Sequence, residues 1–175
     1  MGTMLQATYQ KGFTLIELMV TLVVLAVLLS IGVPSYVEWI RDSRLDTATR
    51  SLASALKLAR SEAVSQQSVI TVRAGMEGDA ANWAEGIHMY TDEEPAGNTN
   101  YAAGTDALIK NINFAMDGIT LVSNAGEHTS FSNEGLLRDD VNPATFRLCD
   151  ARSEGNLISI NVVGRISVAP AGDCP

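Results

Sequence analysis

KGFTLIELMVTLVVLAVLLSIGVP, residues 11–34, carries one acid, Glu17, inside a run that is otherwise almost wholly apolar. Residues 13–33 are long enough to cross a bilayer as a helix, because about 20 residues at a rise of about 1.5 Å span about 30 Å of hydrocarbon. A carboxylate at such depth costs about 2.5 to 3.5 kcal/mol on insertion scales, so Glu17 calls for a partner. The run does not begin as an ordinary secretory signal. Residues 1–12 are polar with one cation, Lys11, and no small-x-small cleavage site follows a short apolar core. A cut is expected before the apolar helix.

The 175 residues have room for a short leader, a membrane helix and one globular domain of about 100 residues or slightly more. A formal charge of −8 disfavours a general nucleic-acid surface, which needs a local excess of cations. Cys149 and Cys174 are an even pair near the end of a chain with an export-like segment, and a disulfide in an oxidising compartment is expected.

KGFTLIELMV resembles the class III leader and cleavage motif of type IV pilins and type II secretion pseudopilins, through Gly12, Phe13, Thr14, Leu15, Glu17 and the apolar run behind them. The resemblance implies removal of residues 1–12 by a prepilin peptidase, cleavage between Gly12 and Phe13, N-methylation of Phe13 and retention of the helix for assembly. It also supplies the partner. Cleavage creates an α-amino group at Phe13, one turn from Glu17, and groups at i and i+4 share a helix face. The resemblance further implies that the acid is satisfied by the amine of a neighbouring subunit, which would make Glu17 a selector for correct docking.

Beyond the apolar run, Pro34 removes a backbone donor and is expected to kink an otherwise continuous helix. From residue 35 to about 67, Ile40, Leu45, Ala48, Leu52, Leu56, Ala59 and Ala63 recur at steps of three to five residues, with Arg41, Arg44, Arg50, Lys57 and Arg60 on other faces. After Gln67 the texture changes to short β-rich runs separated by Gly, Asn and Asp. Strands are expected at 69–73, 86–91, 108–114, 119–122, 145–149, 157–163 and 165–168, with a mobile loop at 91–106.

Within this part, LKLARSEAVSQQSVITV, NWAEGIHMYTD, FSNEGLL, FRLCD and ISINVVGRISV are similar in order and spacing to the GspH/FimT family, whose members include FimU/FimT-type minor pilins. The implied fold class is α+β, the type IV pilin fold. A long N-terminal α-helix, transmembrane in its first half and amphipathic in its second, packs on a C-terminal antiparallel β-rich head. The expected organisation is a leader at 1–12, a transmembrane and assembly helix at 13–34, an amphipathic helix at 35–67 and the head at 68–175. Trp83 is expected in or beside the core next to a turn at Gly86, and Gly164 in the turn between the last two strands.

Catalytic chemistry is absent from this reading. His88 falls in an expected strand and His128 in a polar turn, neither with metal-ligand neighbours. The acids Asp92, Glu93, Glu94, Asp139 and Asp140 lack calcium-loop spacing and read as a solvated surface. Ser61 and Glu62 have no base in view, and neither cofactor nor metal is expected. Three functions share these features. The first is a minor pilin that initiates or caps a type IV pilus and serves twitching, adhesion or DNA uptake; the second is a type II secretion pseudopilin of the GspH type. The third is a DNA-binding minor pilin, since some members carry a basic Gly-Arg-x-Arg motif. Here Gly164 and Arg165 are followed by Ser167 where the second Arg belongs, which makes DNA binding weak at best, through Arg165 with Arg147 and Arg152 as neighbours. The implied partners are other minor and major pilins or pseudopilins, the prepilin peptidase and the bacterial inner membrane, with the head in the periplasm before incorporation in the fibre.

Overall fold

The computed structural model describes residues 12–75, 82–92, 106–114, 116–138, 142–172 and 174. One helix, α1 (Leu15–Gln66), is followed by eight strands: β1 (Val69–Ala74), β2 (Gly86–Asp92), β3 (Leu108–Asn113), β4 (Ile119–Ser123), β5 (His128–Phe131), β6 (Ala144–Asp150), β7 (Gly155–Ile160) and β8 (Ile166–Pro170). The chain divides into two compact units after Ile40.

The first unit holds the start of α1, where Leu15, Ile16, Leu18 and the apolar residues on to Val33 are each more than half exposed. Two hydroxyls here are satisfied within the helix. Thr21 Oγ1 donates to Leu18 O at 2.9 Å and Ser30 Oγ to Val27 O at 2.7 Å, the arrangement a helix needs where no water is at hand. The helix is continuous through Pro34, the expected site of a kink. Tyr36 and Trp39 stack with ring centroids 6.0 Å apart.

The second unit is built on the rest of α1. Leu45, Ala48, Leu52, Leu56, Ala59 and Ala63 are buried, so the spacing read from the sequence marks the face that enters the core. The many alanines on that face let a backbone approach closely without a cavity. The helix ends because Gln67 adopts a left-handed φ of 51° and Ser68 N donates back to Ala63 O at 3.3 Å, a Schellman closure with Gln in place of the usual Gly. The turn delivers the chain directly into β1.

The strands form two four-stranded antiparallel sheets, ordered β3-β2-β1-β5 and β4-β6-β7-β8. Ile70, Val72, Ile87, Met89 and Phe131 of the first sheet share a core with Phe146, Leu148, Ile158 and Ile160 of the second and with the apolar face of α1. Trp83 lies edge-on to Phe146 at 4.8 Å and donates its indole N–H to Gly126 O at 2.7 Å, so both its apolar body and its polar edge are satisfied.

Two expectations need correction. His128 is not in a turn; it begins β5, whose Thr129 and Phe131 are fully buried while His128 and Ser130 are half-buried. A four-residue strand of mostly polar residues is too short for its alternation to stand out. The strand expected at 157–163 is β7, shifted to Gly155–Ile160, because residues 161–165 form a closed turn. Asn161 drives it, with Oδ1 accepting from Arg165 N and the carbonyl accepting from Gly164 N, each at 2.8 Å. The loop expected to be mobile lies, between residues 93 and 105, outside the described residues, as do Asp139 and Asp140.

Candidate assembly site

The N-terminal end of α1 is built by Thr14. Its Oγ1 accepts from Glu17 N at 3.3 Å, and its carbonyl accepts the first helical bond, from Leu18 N, at 3.2 Å. Thr14 is therefore the N-cap and Glu17 the third helical residue, the spacing of a capping box. The sequence reading missed this role, although Thr-x-x-Glu was legible. The same placement puts the carboxylate in the first turn, where the helix dipole favours negative charge. Phe13 and Glu17 are both exposed.

In the head, Arg60 holds three elements at one point. From α1, its Nε donates to Gly135 O and its Nη2 to Val163 O, each at 3.0 Å. Gly135 belongs to the FSNEGLL turn, which Ser132 closes through its own N–H, carbonyl and hydroxyl. Val163 belongs to the turn before β8. Gly164 completes the junction at a φ of 70°; a Cβ there would collide with Gly135 O. Arg60 was read as one more surface cation, and nothing in helical spacing distinguishes a cation that reaches two carbonyls.

At the other end of the second sheet, Cys149 of β6 and Cys174 are joined by a disulfide with Cα atoms 5.7 Å apart. Gly155 makes room for it, since a Cβ there would meet the Cys174 sulfur and Leu148 O. Beside this bond the β6–β7 turn is closed by Asp150. Its Oδ1 accepts from Arg152 N at 2.9 Å and Glu154 N at 3.1 Å, and its Oδ2 from Arg152 Nε at 2.7 Å. Burial pushes the Asp150 carboxyl up, but the hydrogen bonds from Arg152 and Glu154 outweigh it and hold the group below its usual range. Arg152 continues to Asp42 of α1 at 2.5 Å, tying the turn to the helix.

Arg152 is thus committed to carboxylates and does not form a free basic patch with Arg165. Arg165 and Ser167 are exposed. His88 is buried with Nδ1 3.1 Å from Gly75 O and its ring stacked on Tyr90, whose phenol burial pushes up to about 12. Among the described residues no cluster of His, Cys, Asp or Glu is placed to hold a metal.

The family model described as Type II transport protein GspH matches residues 48–164, more than half of the chain. The chain belongs to the GspH family. The prokaryotic N-terminal methylation motif matches residues 8–33 of this GspH-family protein. Its fold is similar to that of the type IV minor pilin FimU of Pseudomonas aeruginosa, with a TM-score of 0.61 and 24% identity over 78% of this chain and 99% of that one. It is similar also to the minor pseudopilin EpsH from the Type 2 Secretion System of Vibrio cholerae, with a TM-score of 0.52 and 13% identity over 74% of this chain and 99% of that one. No curated protein sequence matches it significantly. Pilins and pseudopilins are structural subunits and not enzymes, and they assemble with other pilin subunits.

Proposed function

We propose that this GspH-family protein is a minor pilin that helps initiate or cap a type IV pilus. In this reading a prepilin peptidase cuts between Gly12 and Phe13, Phe13 is N-methylated, and the apolar half of α1 holds the protein in the inner membrane with its head in the periplasm until assembly. One observation carries the reading: an apolar helix surface left uncovered from Leu15 to Val33, with a lone acid in its first turn. Such a surface is tolerable only in lipid or against other apolar helices. The amine at the processed Phe13 and the Glu17 carboxylate then offset each other within one chain or between neighbours.

A pseudopilin of a type II secretion system is the second reading, favoured by the likeness to EpsH and by the description of the family. Co-purification from membranes separates the two by the company the protein keeps. DNA binding in uptake has less support, because Ser167 stands where a second arginine is needed and Arg152 is already paired. The core reading is tested by mass spectrometry of the mature N-terminus. A chain beginning at Phe13, and an uncut Gly12→Val precursor, are expected. A protein that still begins at Met1 in cells containing the peptidase overturns it.

A further inference from the structure

Beside the Arg60 junction lies an open groove of about 540 Å³ with Val64 and Ile166 on its walls and the cations Lys57 and Arg165 at its rim. Arg60 is used by the fold, but Lys57 and Arg165 are not. Among the described residues neither has a carboxylate within ion-pairing distance. In a chain of net charge −8, this groove is lined by Lys57, Arg60 and Arg165 and, among the described residues, by no acid.

The groove runs onto a sheet edge, because β8 is the last strand of its sheet. Its register with β7 pairs Ser159 with Ser167 and Leu157 with Ala169. Asn161 N donating to Arg165 O and Ala171 N donating to Gly155 O show that the odd-numbered residues bond to β7. By the alternation of an antiparallel ladder, the main-chain groups of Ile166 and Val168 point outward. β8 itself, Ile166–Pro170, carries no charged side chain, and Pro170, which has no N–H, limits the length of the edge.

We propose that the groove and the β8 edge together receive an extended acidic segment of a neighbouring pilin-type subunit. Its main chain bonds to Ile166 and Val168, its carboxylates meet Lys57 and Arg165, and an apolar side chain enters between Val64 and Ile166. This is recognition by strand addition, in which backbone bonds supply affinity and flanking charges select the partner. The proposal rests on the subunit reading given above. A strand edge explains why the segment is extended, and charge complementarity explains why it is acidic.

The test uses the full-length protein in its own cells, with photoreactive benzoylphenylalanine at Ser61 in the groove or, separately, at Leu25 in the apolar half of α1. The Ser61 probe is expected to cross-link an acidic segment of another pilin-type subunit, mapped by mass spectrometry. Lys57→Glu with Arg165→Glu should lower the yield at least tenfold, and converting the mapped acids to lysine should restore it. Both side chains are exposed, and retention of the Cys149–Cys174 bond on a non-reducing gel reports that the head is folded. Lys57→Gln with Arg165→Gln gives a smaller loss in the same direction if reversal harms the fold. No subunit cross-link at Ser61 while Leu25 gives one overturns the docking proposal and leaves the subunit reading standing. Silence at both positions overturns both. A cross-link to DNA, or one indifferent to both double variants, also overturns it.

Discussion

The two halves of α1 are apolar for different reasons. From Leu45 to Ala63 the apolar residues recur on one face, five of the nine buried positions are alanine, and the face is covered by the two sheets of the same chain. From Leu15 to Val33 they surround the helix, run to Leu, Val and Ile, and are exposed. A helix that is apolar all round belongs to a bilayer or to the interior of a larger assembly, whereas an apolar stripe belongs to a folded head. The contrast separates what the chain needs for folding from what it needs for assembly, and substitutions can be sorted by which of the two they touch.

The largest effect on the head should come from Phe146→Ala. The ring is fully buried against Trp83, and its loss is expected to cost about 3 to 5 kcal/mol in chemical unfolding of the head. Leu25→Ala, of comparable chemistry in the exposed half, should leave that unfolding unchanged within about 0.5 kcal/mol. Equal losses at the two positions would break the division. Next comes Cys149→Ser, which opens a loop with a sequence separation of 25 and is expected to cost about 3 kcal/mol in the chain-entropy description. Because β8 already holds the chain to Pro170, the disorder that follows should be confined to the last residues, a pattern hydrogen exchange would show.

Asp150→Asn should have a smaller effect, about 1 to 2 kcal/mol, through weakened closure of the β6–β7 turn and a looser Arg152–Asp42 tie. Its pH dependence has a definite sign. The folded state holds this carboxyl below its unfolded value, so its contribution is fully present above the ordinary carboxylate range near 4 and is lost as pH falls through the lower folded value. The stability difference between wild type and Asp150→Asn should therefore be flat at neutral pH and narrow in acid. A difference that widens in acid would contradict the hydrogen-bond account.

Much of the fold was legible because its periods are long or its punctuation strong. The helix spans many turns, so the stripe from Leu45 to Ala63 repeats often enough to be read, and Gly86 and Gly164 mark strand boundaries with backbone angles that favour glycine. β5 was hidden because Thr129 and Phe131 are its only buried pair, and His128 and Ser130 look like turn residues. The division into two sheets was hidden as well, since which strands pair depends on contacts distant in sequence. At the candidate site, the cleavage motif and Glu17 were legible as a local pattern, and so was Thr14 through its capping spacing. Arg60 and Arg152 were not. Their roles depend on Gly135, Val163 and Asp42, positions up to 110 residues away.

Glu17→Ala should have the smallest effect on the head and still matter to the protein. The residue lies in the first turn of α1, in the unit that ends at Ile40, so unfolding of the head should not register its loss. Removing the acid makes the apolar run more apolar, and membrane insertion should be unchanged or improved by up to about 3 kcal/mol on insertion scales. The N-cap bond also survives, because it uses the backbone N–H of residue 17 and the Thr14 hydroxyl. What disappears is a charge able to meet an α-amine at residue 13. The expected result is a processed, inserted and folded subunit whose recovery in fibres falls by about tenfold, the equivalent of roughly 1.4 kcal/mol. Quantifying Glu17→Ala against wild type in sheared fibres and in membranes measures that ratio. Full recovery in fibres would show that the carboxylate is tolerated and not used, and would leave Glu17 with its place in the helix dipole as its sole role.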